Sequence, residues 1–151
     1  MKVRDVMTTP VVTVGPDTTY SEIVDLLLEH DISGVPVVHA GGRLLGMVTE
    51  ADLLSGEAYG HRRHRALGLV AAVLRGDDPE WLRKASAATA RELMTGPPAT
   101  ASPDDDLSDA ARQMLQGSHK RLPVVVDGKI VGIVSRPDLL RHFDGSDTAV
   151  T

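Results

Sequence analysis

The hydrophobic pattern of this chain runs through one cycle of strand and helix signals and then repeats it. A short β-branched run over residues 11–14 ends at Gly15-Pro16-Asp17. Ile23, Val24, Leu26, Leu27 and Leu28 then supply a broad apolar face, which predicts a helix reaching about His30 with Asp17 or Thr18 as its N-cap. Two strands are expected next, over 35–39 and 43–48, joined hairpin-fashion by the turn Ala40-Gly41-Gly42. A helix starts after Thr49. Further on, the order returns: a strand near 99–101, a helix over 106–116, a strand over 122–126, the turn Asp127-Gly128, a strand over 130–134 and a helix from Arg136. Each cycle reads β-α-β-β-α.

The repetition extends from pattern to residues, and internal repeats decide the architecture before anything else does. Arg4-Asp5-Val6-Met7-Thr8-Thr9-Pro10 returns as Arg91-Glu92-Leu93-Met94-Thr95-Gly96-Pro97, and Pro36-Val37-Val38 returns as Pro123-Val124-Val125. Leu44-Leu45-Gly46-Met47-Val48-Thr49-Glu50-Ala51-Asp52 returns as Ile130-Val131-Gly132-Ile133-Val134-Ser135-Arg136-Pro137-Asp138. A unit of about 50 residues buries too little surface to be comfortable alone, and two copies sharing their sheet faces would solve that problem. The sequence divides into a first repeat over 1–56, an inserted segment over 57–89, a second repeat over 90–143 and a tail over 144–151. The inserted segment reads as a helical hairpin: a basic run His61-Arg62-Arg63-His64-Arg65, an apolar helical stretch over 66–74, then Asp78-Pro79 opening a second helix. The tail has no periodicity and is expected to be disordered.

Composition narrows the function classes. With 42% hydrophobic and 25% charged residues, the 151-residue chain is that of a globular protein. It has no cysteine, which excludes disulfides and thiolate metal sites. No apolar run approaches the length of a membrane span and no signal-peptide core is visible, so a cytoplasmic location is expected. A net charge of −5 and four aromatic residues argue against nucleic-acid binding. No nucleophile elbow, P-loop or other catalytic constellation is present, so a non-enzyme is expected.

The chemistry concentrates where the third strand of each repeat meets a helix. Thr49-x-x-Asp52 and Ser135-x-x-Asp138 place a hydroxyl and a carboxylate beside the backbone N–H groups of a helix start. Two readings stay open. A hydroxyl with an acidic residue three positions on is close to a capping box, which stabilises a helix with no ligand at all. The same gathering of groups is also where a ligand is to be sought.

The Met-Thr-x-Pro opening, the h-P-V-V strand and the G-h-h-[ST]-x-x-D ending, each found twice, resemble the CBS (cystathionine-β-synthase) domain. Two in tandem look like the CBS pair called a Bateman module. The resemblance implies an α/β fold of two pseudo-twofold repeats and clefts that bind an adenosine-containing ligand such as AMP, ADP, ATP, NAD or S-adenosylmethionine. It implies that the aspartate takes the ribose hydroxyls while the Thr/Ser lies near ribose or phosphate. One cleft would pair Thr49 and Asp52 with Pro98, Ala99 and the run His119-Lys120-Arg121-Leu122-Pro123. The other would pair Ser135 and Asp138 with Val11, Val12 and the run Ile32-Ser33-Gly34-Val35-Pro36, with Arg136 lying over the helix start. Lys120 and Arg121 resemble a basic pair that meets phosphate in the AMP-sensing kinase subunit, and this makes the first cleft the tighter one; the alternative is a solvated loop. Pro98-Ala99 is smaller than the pair that usually sandwiches the base, and Glu50 adds negative charge beside Thr49.

His61-x-x-His64 would put two imidazoles on one helix face, but without a third ligand a basic helix start is the better reading, and no metal site is expected. The module is expected to form a homodimer and to regulate a partner that the sequence does not identify. The competing reading is a protein-interaction module with vestigial clefts.

Overall fold

The computed structural model describes residues 1–55 and 88–143. The sequence-based expectations for the hairpin over 57–87, including His61 and His64, and for the tail over 144–151 fall outside the described residues. In chain order the elements are a 3-10 turn Val3–Asp5, α1 Tyr20–His30, β1 Gly34–Val38, β2 Leu44–Thr49, α2 Glu50–Ser55, α3 Ala90–Leu93, α4 Leu107–Gly117, β3 Arg121–Val126, β4 Lys129–Ser135 and α5 Arg136–His142. The hairpins and the helices that follow them fall within a residue or two of their expected bounds. The leading strands do not form as strands: each contracts to one parallel bridge, Val14 to Val37 and Ala101 to Val124.

The chain forms two compact units, and they do not coincide with the two sequence repeats. One unit takes residues 12–41 together with the described part of 45–97; the other takes 1–11, 42–44 and the described part of 98–151. The Met-Thr-x-Pro opening of each repeat therefore folds with the other repeat's helices and strands.

In the first unit, β1 and β2 form a two-stranded sheet. Val14 extends it beside β1, with Val14 N–H donating to the Pro36 carbonyl at 3.0 Å and Val38 N–H to the Val14 carbonyl at 2.9 Å. Thr95 extends it beside β2, exchanging both backbone hydrogen bonds with Met47 at 2.9 and 3.0 Å. The core joins Val14, Ile23, Leu27, Val35, Val37, Val48 and Leu53 to Ala88, Ala90 and Leu93 of the incoming opening segment. Helix α1 starts one residue later than expected. Its N-cap is Thr19, because Glu22 lies three positions on and completes a capping box: Thr19 N–H donates to Glu22 Oε2 at 2.9 Å.

The second unit repeats this plan. β3 pairs antiparallel with β4, Leu122 opposite Val134 and Val124 opposite Gly132, with a bulge after Val124. Ala101 flanks β3 through bonds to Pro123 and from Val125, both at 2.9 Å, and Thr8 flanks β4 through bonds with Ile133 at 2.8 and 3.2 Å. Val3 from the first residues is fully buried among Ala101, Leu107, Ala110, Met114, Leu122, Val124, Val134 and Leu139. Polar clamps hold this segment: Arg4 pairs with Asp104, and Lys2 Nζ donates to Asp106 Oδ1 at 2.7 Å. That hydrogen bond, with the attraction of the charges, raises the Lys2 ammonium above its ordinary value and holds the Asp106 carboxyl below its own.

The glycine of each G-h-h-[ST] strand has a packing reason. A Cβ at Gly132 would lie 2.5 Å from the Met7 sulfur, and one at Gly46 would lie 2.8 Å from the Met94 sulfur and 2.9 Å from the Thr95 carbonyl oxygen. The methionine of each opening sits where only a glycine leaves room.

Candidate functional site

The site is built around the two strand-to-helix corners, one in each unit. At the first, β2 ends at Thr49 and α2 begins at Glu50. Asp52 Oδ2 accepts from Thr49 N–H at 2.8 Å and from Thr49 Oγ1 at 3.1 Å, while Asp52 Oδ1 accepts from Thr95 Oγ1 at 3.1 Å. The second corner has the same frame. Asp138 Oδ2 accepts from Ser135 N–H and from Ser135 Oγ, both at 2.8 Å, and Asp138 N–H donates back to Ser135 Oγ at 3.4 Å. Its Oδ1 accepts not from a hydroxyl but from Arg141 Nη2 at 2.7 Å. Asp138 is the one buried charged residue among those described. Both aspartates thus act as capping-box residues, and one oxygen of each is fully occupied by the cap.

At both helix starts the first backbone N–H already has an acceptor. Glu50 N–H donates to the Ser33 carbonyl and Arg136 N–H to the Lys120 carbonyl, each at 3.0 Å. In α5 the next residue is Pro137, which has no N–H, and the third N–H is the one bonded to Ser135 Oγ. The sequence pattern marks a helix start but does not show that the residue just before the first strand of each hairpin folds back and takes the first donor.

That fold-back brings predicted site residues together inside each unit. In the second unit, His119, Lys120 and Arg121 lead into β3 beside the start of α5, and Arg136 Nε donates to the His119 carbonyl at 3.0 Å. Arg136 is therefore bound to the His119–Lys120 loop through both its side chain and its own N–H. Lys120 is exposed and Arg121 half-buried. In the first unit, Ile32 and Ser33 are half-buried before β1, Gly34 and Val35 are buried, and Pro36 is fully buried, as Pro123 is in the second. Val11, Val12, Pro98 and Ala99 are half-buried. Val11, Pro98 and Ala99 belong to the unit of Asp138, and Val12 to that of Asp52.

Two residues at the corners escaped sequence reasoning. Thr95 was legible as a mark of the repeat but not as a partner of a residue 43 positions earlier. Arg141 carried a local signal, since a cation three residues after an acid on a helix faces it. No cluster of three or more His, Asp or Glu able to hold a metal occurs among the described residues, and no helix there is long and apolar enough to cross a membrane.

A sequence profile of the CBS domain matches residues 3–58 and 90–145. The CBS domain-containing protein YhcV of Bacillus subtilis is 34% identical over 147 residues, covering 97% of this chain and 89% of its own. The chloroplastic CBSX2 of Arabidopsis thaliana is 31% identical over 138 residues, and the chain spans 56% of its length. The crystal structure of CBSX2 in complex with AMP superimposes with a TM-score of 0.71 at 30% identity, covering 94% of this chain and 95% of that one. The CBS domain pair of protein MJ0100, in complex with 5′-methylthioadenosine and S-adenosyl-L-methionine, gives a TM-score of 0.70 at 25% identity, covering 96% and 97%. With both repeats matched by the profile and relatives this similar over nearly the whole length, the chain belongs to the CBS-domain family as a tandem pair of repeats.

Proposed function

We propose that this protein is a non-catalytic, ligand-sensing regulatory module that binds an adenosine-containing nucleotide, AMP, ADP or ATP in the first instance and NAD or S-adenosylmethionine as further candidates. The observation that carries the reading is the doubled corner, a carboxylate held by its own hydroxyl residue at matching positions of both repeats. The AMP bound to CBSX2, and the methylthioadenosine and S-adenosylmethionine bound to MJ0100, support it by likeness. Capping does not exhaust a carboxylate. It has about four acceptor sites, and the cap uses the two on Oδ2, so a ribose hydroxyl would add to, or exchange at, Oδ1. Lys120 and Arg121 supply the phosphate charge in this reading.

Ligand binding would bias the module between arrangements that a regulated partner, cytoplasmic like the module itself, can tell apart. The module is proposed to act as a homodimer. Leu28 on α1 and Leu115 on α4 occupy matching positions of the two repeats and are 75% and 76% exposed, apolar surface that a second copy would cover. Light scattering at micromolar concentration is expected to give the dimer mass, and a monomer there removes this part of the proposal.

A second reading has an observation in its favour: both carboxylates are already satisfied by the protein, as in an interaction module whose clefts are vestigial. A thermal-shift panel of adenosine, AMP, ADP, ATP, NAD and S-adenosylmethionine separates the two. Concentration-dependent stabilisation of several degrees by at least one ligand supports the sensor, and silence across the panel leaves the interaction module.

A further inference from the structure

We infer that Arg136 is a positioning residue for phosphate: it braces the loop that carries Lys120, and the affinity gained from a nucleotide's phosphate depends on that brace. The inference rests on the phosphate role given to Lys120 above and adds to it a residue that acts through the loop.

The loop that joins α4 to β3 is Ser118-His119-Lys120, and it is held on two sides. On the side of α4, Ser118 turns the chain in the left-handed region at φ 54°, and its N–H and that of His119 both donate to the Met114 carbonyl. The His119 ring lies against Gly117, where a Cβ would come within 2.3 Å of His119 Nε2. On the other side stands Arg136, the first residue of α5. Its Nε donates to the His119 carbonyl and its N–H to the Lys120 carbonyl, each at 3.0 Å. These two carbonyls belong to the peptide groups on either side of the Lys120 Cα. One residue therefore fixes the direction in which the Lys120 side chain, itself exposed, leaves the loop.

An anion gains little from a lysine whose backbone must be ordered at the moment of binding. With the backbone held beforehand, only the side-chain rotamers remain to be ordered. The main-chain half of the brace survives any substitution at position 136, so the side chain answers only for the His119 half. A single hydrogen bond of modest net worth is then at stake, and its loss is expected to weaken binding of a phosphate about threefold to tenfold.

The rival account is that the Arg136 guanidinium meets the phosphate itself. Glutamine separates the two, because its Nε2 stands as many bonds from Cβ as Arg Nε does. Arg136→Gln keeps a donor for the His119 carbonyl and removes the charge, while Arg136→Met fills the same length with neither. Isothermal titration of AMP, and of adenosine, which lacks the phosphate, would compare both variants with the wild-type protein, with Lys120→Met and with the double variant Lys120→Met/Arg136→Met. Arg136→Met is expected to weaken AMP about threefold to tenfold and adenosine by less than about twofold. Arg136→Gln is expected to recover most of that loss. With Lys120→Met already present, Arg136→Met is expected to weaken AMP by less than about twofold, since the brace then has no cation to aim.

A loss in Arg136→Gln as large as in Arg136→Met assigns the effect to the charge and overturns the inference. Equal weakening of adenosine and AMP, or a full further loss in the double variant, overturns it as well. Unchanged AMP affinity in Arg136→Met overturns it while leaving the nucleotide reading intact. If the wild-type protein binds neither compound, the nucleotide reading fails and the inference falls with it. Amide hydrogen exchange of the ligand-free proteins checks the brace alone. In Arg136→Met the His119 and Lys120 amides are expected to exchange about threefold to tenfold faster than in the wild type or Arg136→Gln, with the β3 and β4 amides still protected. Equal exchange in all three proteins shows that the side chain does not hold the loop and overturns the inference.

Discussion

Replacing Asp138 separates the structural work of the corner from any binding work. In Asp138→Ala, Ser135 N–H and Ser135 Oγ lose their 2.8 Å acceptor and Arg141 loses its 2.7 Å one. Loss of the cap costs about 1 kcal/mol. Ser135 is half-buried, so leaving its donors without the carboxylate adds roughly 1–2 kcal/mol, and the exposed arm of the ion pair adds no more than about 1 kcal/mol. The sum is about 2–4 kcal/mol, which for a chain of this size lowers the melting temperature by roughly 5–12 °C. Asp138→Asn is the discriminating partner. Both carboxylate oxygens receive donors, so the amide NH2 must face one set of them. It does least harm facing Arg141, which is free to leave, and the expected cost is about 1 kcal/mol. Urea unfolding of both variants against the wild type measures these differences. If Asp138→Ala unfolds within about 0.5 kcal/mol of the wild type, the capping geometry does not hold in solution and the reasoning fails.

Three further perturbations test the architecture. Val3→Ala removes two methyl groups from a fully buried position and is expected to cost about 2 kcal/mol, seen as protection lost from β3 and β4 amides in hydrogen exchange, because the first residues belong to the second repeat's core. Gly132→Ala and Gly46→Ala are each expected to destabilise by about 1–3 kcal/mol. Met7→Ala is expected to relieve the first, where only a flexible side chain is crowded, but Met94→Ala is not expected to relieve the second, where the Thr95 carbonyl stays in the way; calorimetry of the double variants checks this. The Lys2–Asp106 pair gives a pH signature. The lowered Asp106 stabilises the fold above the usual carboxylate range and loses that contribution as pH falls through its folded value. The raised Lys2 contributes below its ordinary value and loses it as pH rises through the folded one. Removing the pair with Lys2→Met is expected to change stability between these two limits and not beyond them, as read from unfolding curves across pH.

The doubled motifs were enough to read the family, the order of elements and the hairpins, because period-2 runs ending at glycine turns are local signals. Caps were half legible. Ser135-x-x-Asp138 was recognisable as a box, while Thr19-x-x-Glu22 was passed over for the better-known Asp17-Thr18 pair. What could not be read locally is the exchange of opening segments. Arg91-Glu92-Leu93-Met94-Thr95 stands next to the second repeat in sequence, yet Ala90 and Leu93 are buried in the first unit's core. The leading strands misled for a related reason: residues 11–14 and 99–101 have strand composition, but each meets its neighbour through a single bridge. The occupancy of the aspartates also lay beyond the pattern. Whether a carboxylate is free depends on Thr95, Arg141 and the carbonyls of Ser33 and Lys120, none of which the Thr/Ser-x-x-Asp spacing contains.

The central claim is that these two carboxylates hold a ribose, and its hydroxyls are the group to remove. Isothermal titration should compare AMP with its 2′,3′-dideoxy analogue on the wild-type protein. The account predicts measurable AMP binding and at least about tenfold weaker binding of the dideoxy analogue, since hydrogen bonds to a charged acceptor are lost while base and phosphate are unchanged. Equal affinity for the two, or no AMP binding at all, would contradict it.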